Sequence, residues 1–282
     1  MVGEVRSVLT RPQSPARPPR APGRWLLLLV GLVAFGVALG GYVIYMVGHA
    51  KGYTMDPVDL NVYRSGGLIV RHIRPYYDPH LASPLYDWVG YGNLHLPFTY
   101  TPFAGLAFAL VSLVPYQLCL KLSTAVDLIS VLAAVWITLG ALGYRRLVVR
   151  AGATLLGAAA VLWTEPVLRT IYLGQINLVL LALVLWDLCQ PDTAKSRWWK
   201  GFATGIAAGI KLTPLIFIPY LLIARKFRQA ALALAGFVVS VLLGFVILPG
   251  DSDKWWFGGL FAQSGRTGFV GWAGNQSLDG LI

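Results

Sequence analysis

Between Trp25 and Val47 the chain runs for 23 residues without a charged side chain. As a helix, a run of that length covers about 34 Å, enough to cross the roughly 30 Å hydrocarbon layer of a bilayer. In hydrocarbon the backbone must satisfy its own hydrogen bonds, so such a run is a helix or part of a closed barrel. A cleaved signal peptide has a shorter apolar stretch and an A-x-A-like site, so this one reads as a retained first transmembrane helix, residues 25–47. Composition extends the point to the whole chain. It is 56% hydrophobic and 12% charged, with a mean hydropathy of +0.64. That charged fraction is about half of a globular domain's, which excludes an ordinary soluble fold, and disorder needs the opposite composition. The expected fold is an all-α, polytopic transmembrane helical bundle.

The formal charge of +11 invites a nucleic-acid reading, which the positions of the 23 Lys and Arg answer. Arg6, Arg11, Arg17, Arg20 and Arg24 lie in a proline-rich stretch, residues 1–24, that cannot pack a core and is expected to be a disordered cytoplasmic tail. Three further groups occupy short connections: Arg145, Arg146 and Arg150; Lys195, Arg197 and Lys200; Arg225, Lys226 and Arg228. The positive-inside rule assigns all four groups to the cytoplasm, so most of the charge is a topology signal and no nucleic-acid partner is expected.

An even number of crossings must then separate successive groups. Residues 48–115 become a large outer loop, in which Asp59 to Arg74 reads as an amphipathic helix ended by Pro75, with Leu60, Tyr63, Gly67 and Val70 on one face. Phe98 to Val114 lies at the outer interface or re-enters. Residues 116–248 carry the other crossings. Tyr116 to Leu142 runs inward, and Ala151 to Leu168 with Tyr172 to Cys189 forms a hairpin whose tip faces out. Gly201 to Ala224 goes up and back as two half-helices of about 15 Å each, tolerated only where they line a cavity. A single full span there would instead put Arg225 and Lys226 outside. Ala230 to Leu248 crosses outward, leaving residues 249–282 as a second outer loop.

Cys119 and Cys189 stand in apolar runs and read as unpaired thiols. His49, His72, His80 and His95 form no metal-ligand spacing, so no metal site is expected. Ionisable groups inside apolar segments are costly and mark function or a buried partner. Asp127, Glu165, Arg169, Asp187 and Lys211 qualify. Asp127 is open to a structural hydrogen bond or a site role, and Asp187 to capping or snorkelling at a helix end. Glu165 and Arg169, at i and i+4, can pair on one helical face. Lys211 falls where the two half-helices meet; a phosphate suits its ammonium, and Glu165 or Asp127 is the competing partner. Asp59 opens the loop helix, where an N-cap is the plain reading, and Asp56, before Pro57, suits a turn.

Six strings follow one another in order: DLNVYRSGG (Asp59–Gly67), PYYD (Pro75–Asp78), FTYTPFAGL (Phe98–Leu106), EPVLRTIYLGQIN (Glu165–Asn177), GIKLTPLIFIPY (Gly209–Tyr220) and NQSLDG (Asn275–Gly280). Together they resemble glycosyltransferase family 87, bacterial membrane enzymes of the GT-C type that include polyprenol-phosphate-mannose-dependent α-mannosyltransferases. One departure stands out: the usual YPP reads Tyr100-Thr101-Pro102, a change at a turn that involves no charge.

The resemblance implies a GT-C bundle in the cell membrane, multi-pass, whose active-site cavity opens on the outer (periplasmic) side beneath the first loop. It implies that Asp59 is the catalytic base. Lys211, Arg64 and Arg169 are then the donor-phosphate ligands, and Tyr63, Glu165, Gln175, Asn177, Asn275 and Gln276 the substrate-binding set. Tyr63, Trp88, Trp163 and Trp272 are candidates for stacking on sugars, against the ordinary role of interfacial aromatics as lipid anchors. The expected reaction moves mannose from a polyprenyl-phosphate donor to a glycolipid acceptor of the phosphatidylinositol mannoside or lipomannan type, with inversion. The donor is a co-substrate, and no cofactor is expected. An arabinofuranosyltransferase and a lipid-linked sugar flippase are the alternatives; the absence of an internal repeat and the carboxylate-rich loop weigh against the flippase. Relatives of this kind run past NQSLDG, so the chain also reads as an incomplete member of its type.

Overall fold

The computed structural model of the protein describes residues 23–49, 57–71, 84–87, 89–91 and 94–263. Residues 1–22 and the strings PYYD and NQSLDG fall outside them, as do Asp56, Trp88, Trp272, Asn275 and Gln276. The first apolar run forms α1 (Gly23–His49). After it come α2 (Val58–Val70), α3 (Pro84–Asp87) and a two-stranded antiparallel hairpin, β1 (Val89–Tyr91) and β2 (Leu94–Pro97). The hairpin is confined to the loop, and the described residues are otherwise helical, as the all-α expectation has it.

Then follow α4 (Pro102–Val111), α5 (Tyr116–Ala141), α6 (Leu147–Leu162), α7 (Glu165–Leu173) and α8 (Asn177–Leu188). The last part holds α9 (Phe202–Ile210), a 3₁₀ turn over Thr213–Ile216, α10 (Phe217–Ile223), α11 (Phe227–Ile247) and α12 (Pro249–Trp256). By length and apolarity α1, α5 and α11 are able to cross a membrane, and α6 with α7 makes a fourth if that bent pair is one span.

Close approaches fix the relative directions of α1, α5, α6, α9, α10 and α11. α1 and α6 run parallel, since a Cβ on Gly31 would strike Gly152 and one on Gly41 would meet the Trp163 ring. α5 runs against α6, with the Arg150 guanidinium donating twice to the Trp136 carbonyl at 2.7 and 3.0 Å. α9 and α11 run parallel: a Cβ at Gly201 would strike the Gln229 carbonyl, and one at Gly205 that of Ala233. α10 turns back along α11, where Leu221 packs on Ala230 and Ala233.

The chain therefore goes up through α9 and down through α10. The basic groups at 195–200 and 225–228 meet at one end, where Asp192 accepts from Lys200 Nζ at 2.8 Å and from Gln229 Nε2 at 3.2 Å. Lys200, first among the cationic neighbours, holds the Asp192 carboxyl below its ordinary value.

Two expected boundaries are corrected. Ala151 to Leu168 is not one helix: α6 stops at Leu162, and the chain bends by 76° into α7 at Thr164-Glu165-Pro166. Proline at the second helical position lacks only an N–H that would be unpaired there, so α7 starts anew. The loop helix ends at Val70, short of Arg74, and Asp59 does not cap it. Pro57 flanks the helix, and Asp59 lies in its first turn with its carboxylate turned elsewhere.

Asp187 is fully buried and resolves to a cap. Its carboxylate accepts from the backbone N–H of Gly201 and Thr204 and from the Thr204 hydroxyl, at 2.8, 2.8 and 2.7 Å, and so anchors the start of α9. Asp127 is buried on α5 beside an apolar groove. Cys119 and Cys189 are free thiols, the first of them buried.

Candidate active site

At the end of the bundle opposite the basic groups, α2, the segment from β2 to Thr101, α7, α12 and the close of α9 surround a cavity of about 750 Å³. That volume lies within the range of small-molecule sites. Asp59, Tyr100, Thr101, Arg169, Gln175, Lys211 and Thr213 supply its polar lining, and Val58, Val62, Leu96, Ile210, Trp255 and Phe261 its apolar walls.

Each polar group is placed by a local rule. Gly174 closes α7 in the left-handed conformation, φ 67°, which glycine adopts without a Cβ penalty. The chain thereby turns, and Gln175 points at the first turn of α2 while Asn177 opens α8. Lys211 ends α9 with extended backbone, φ −139° and ψ 129°, so its side chain leaves the helix at the cavity wall.

These residues join in a directed chain. Gln175 Nε2 donates to Asp59 Oδ2 at 2.8 Å. Asn177 Nδ2 donates to Gln175 Oε1 at 2.6 Å, and Lys211 Nζ donates to Asn177 Oδ1 at 2.7 Å. The two ends fix the amides. An ammonium only donates and an ionised carboxylate only accepts, so Asn177 must present oxygen to Lys211 and Gln175 nitrogen to Asp59. Neither Glu165 nor Asp127 partners Lys211, contrary to the competing expectation.

A second chain reaches the other carboxylate oxygen. Tyr100 donates to Asp59 Oδ1 at 3.4 Å, and Tyr63 lies 2.9 Å from the Tyr100 hydroxyl. Burial is the main cause that pushes both phenols above their ordinary value. Both therefore stay protonated donors at neutral pH. The Lys211 ammonium also sits 5.8 Å from the centre of the Tyr100 ring, a cation–π distance.

Of the expected site residues, the structure gathers Asp59, Lys211, Arg169 and Gln175 into this cavity, with Asn177 just behind. Others it places elsewhere. Tyr63 is buried, stacked on Phe108 at 4.2 Å, and reaches the cavity through the Tyr100 hydroxyl. Arg64 donates to the Val114 carbonyl at 3.3 Å and lies over Tyr116, away from Asp59. Glu165 pairs with Arg169 at 3.6 Å, as the i, i+4 spacing predicts, but faces a neighbouring concavity.

Sequence reasoning missed Tyr100 and Thr101, although both stand in one of the quoted strings. Thr101 caps α4, accepting from Ala104 N–H at 3.1 Å, and donates to the Gly209 carbonyl two residues before Lys211. The departure at this position is more than a turn variant, because proline has no side-chain donor for that bond.

A narrow apolar groove of about 340 Å³ begins at Lys211 and Asn177 and continues between Leu180, Leu181 and Val184 of α8 and Ile216 and Phe217. One ammonium thus stands at the meeting point of a polar cavity and an apolar channel.

A sequence profile described as glycosyltransferase family 87 matches residues 98–282. The chain is 31% identical, over its whole length, to 62% of a Mycobacterium tuberculosis (strain CDC 1551 / Oshkosh) protein named polyprenol-phosphate-mannose-dependent alpha-(1-2)-phosphatidylinositol pentamannoside mannosyltransferase. It is 33% identical to a phosphatidylinositol mannoside mannosyltransferase of M. tuberculosis H37Rv, over 92% of this chain and 60% of that one. A Mycolicibacterium smegmatis relative with the same name is 31% identical over 91% of this chain and 56% of its own. The chain thus spans about 60% of the length of these relatives. No solved structure matches it. Asp59 precedes the stretch matched by the family profile, but lies within the stretch aligned to the first of these relatives.

Proposed function

Because the chain belongs to glycosyltransferase family 87, we propose that it transfers mannose from a polyprenyl-phosphate-mannose donor to a phosphatidylinositol mannoside-type acceptor. The observation that carries this reading is the pairing, in one cavity, of a carboxylate able to take a proton with an ammonium able to take a phosphate. The relatives' names all specify mannose, which favours that sugar over arabinofuranose.

The chemistry follows from these groups. A sugar phosphate already carries a good leaving group, so the two carboxylates of glycoside hydrolysis are not required. Asp59 takes the proton of the acceptor hydroxyl as its oxygen attacks the anomeric carbon. The bond from that carbon to the phosphate oxygen breaks on the opposite face, and a β-linked donor gives an α-mannoside. Negative charge then accumulates on the departing phosphate. Lys211, held in place by Asn177, meets it, and Arg169 lines the same cavity. The apolar groove that starts at Lys211 has the lining to take the polyprenyl chain.

Asp59 keeps unused lone pairs for the incoming proton, since an ionised carboxylate offers about four acceptor sites. Gln175 and Tyr100 occupy two of them. These donors turn the carboxylate into the cavity and hold it there. Gln175 and Asn177 therefore position the base and the phosphate ligand as one unit.

Removing the ammonium tests the donor side. Lys211→Ala is expected to lower kcat/KM for the donor about 100-fold, as loss of a charge-assisted contact to phosphate does, and kinetics equal to the parent's would take Lys211 out of the site. The reading as a whole is tested with the protein in nanodiscs, polyprenyl-phospho-mannose and a mannosylated phosphatidylinositol. No α-mannoside product would refute it.

By the positive-inside rule, the cavity end is the outer side of the membrane. In a cysteine-free background, an impermeant maleimide added outside should label Thr164→Cys at the cavity end but not Lys195→Cys at the basic end; both positions are exposed. Outside labelling of Lys195→Cys would reverse the orientation.

A further inference from the structure

Beyond Arg169 lies a second concavity, of about 360 Å³, lined by Tyr45, Trp163, Glu165, Leu168, Arg169 and Tyr172. It forms where the last turns of α1 meet the bend between α6 and α7. Trp163 ends α6 at that bend, and its indole lies against Gly41 of α1, where a Cβ would come within 3.0 Å of the ring. The absence of a side chain at Gly41 is what lets the indole rest there.

Tyr45 meets Trp163 edge-on, with centroids 6.3 Å apart at 70°, so the two rings do not stack on each other's faces. Trp163 and Tyr45 are 44% and 42% exposed. The Glu165–Arg169 pair sits among these rings at 3.6 Å, with both side chains open to solvent.

Aromatic rings at this depth are ordinary lipid anchors when they stand alone. A carboxylate and a guanidinium among them are not explained that way, and an exposed ion pair contributes little to stability. The combination fits a ligand that alternates apolar and polar faces. A pyranose lays its C–H face on an aromatic ring, while its hydroxyls donate to a carboxylate and accept from a guanidinium. Arg169 lines both this concavity and the Asp59 cavity, so the two volumes share a wall. A glycan seated on Trp163 can extend past Arg169 to the base.

We propose that this concavity is an acceptor-glycan subsite: it holds a sugar unit of the acceptor next to the unit whose hydroxyl is deprotonated at Asp59. The proposal rests on the transferase reading above. Trp163 supplies the stacking face, Glu165 accepts from hydroxyls, and Arg169 marks the boundary between acceptor and donor.

The test varies donor and acceptor separately, with the protein in nanodiscs. Trp163→Ala and Glu165→Gln should each raise the acceptor KM about tenfold, the cost of one good contact, while the donor KM stays within about twofold. Trp163→Phe keeps a ring face and should recover most of the acceptor affinity, which a general loss of folding would not allow. An acceptor KM equal to the parent's in both variants, or a rise in donor KM instead, overturns the subsite. If the parent transfers no mannose, the transferase reading fails first. Calorimetric binding of octyl α-mannobioside to parent and variants then decides the subsite alone: weaker binding in the variants supports it, and equal binding overturns it.

Discussion

Asp59→Asn is expected to lower kcat by about 100- to 10,000-fold, the range for loss of a positioned general base, while the protein stays folded. The variant is nearly isosteric, and the surroundings can accept it. The asparagine oxygen can still take the hydrogen bond from Gln175 Nε2, now made to Asp59 Oδ2 at 2.8 Å. The new amide nitrogen would face the Tyr100 hydroxyl, which accepts as readily as it donates. What disappears is only the ability to hold the acceptor's proton. Donor KM should change little, because Lys211 and the apolar groove behind it are untouched. Asp59→Glu is the companion variant. It restores the charge but displaces it by one methylene, and a misplacement of about 1 Å is enough to cost about 100-fold. Rates measured on nanodisc-embedded protein, beside an unchanged melting temperature, check the assignment. Full transfer by Asp59→Asn would remove Asp59 from the chemistry.

The largest effect on stability is expected at Asp187. This carboxylate is fully buried and satisfies two backbone N–H groups at the start of α9 together with the Thr204 hydroxyl. Asp187→Ala leaves three donors without an acceptor in a dry site. Each unsatisfied donor costs about 1–3 kcal/mol, so a loss of at least about 3 kcal/mol is expected. At 2–4 °C per kcal/mol for a chain of this size, the melting temperature in detergent should fall by about 10 °C. Asp187→Asn keeps one oxygen and should lie between variant and parent. A melting temperature for Asp187→Ala within about 2 °C of the parent's would mean that water replaces the carboxylate there.

What could be read from the sequence followed the physics of each signal. Apolar run length and the basic groups respond to the bilayer itself, so α1, α5, α11 and the reversal at Lys211 were legible. The bend at Thr164 was not, because Glu165 and Arg169 read as polar groups at the tip of one continuing helix; the local signal was Thr164 and Pro166, a helix-start pattern just after the apolar run of α6.

In the site, Lys211 stood out because charge is rare in an apolar segment, whereas Asp59, which alone reads as an N-cap, stood out only through the resemblance of its string. Their connection through Gln175 and Asn177 did not, since it depends on where three distant segments meet. Tyr63 and Tyr100 show the limit most clearly. Both carry the same side chain, but Tyr63 is covered by Phe108 and Tyr100 lines the cavity, a difference made by packing alone. Arg64 misled for a related reason. Its charge was visible, while its turn toward the Val114 carbonyl depends on how α2 sits against the segment before α5.

The amide chain between Lys211 and Asp59 also bears on how this lineage can change. Each amide must face one way, because a donor-only group stands at one end and an acceptor-only group at the other. Exchanging a single link reverses the demand on its neighbour and strands a polar group in the wall. Viable substitutions should therefore occur in concert. Across descendants of this sequence, positions 59, 175, 177 and 211 should be inherited as one covarying set, held together more tightly than the apolar residues around them.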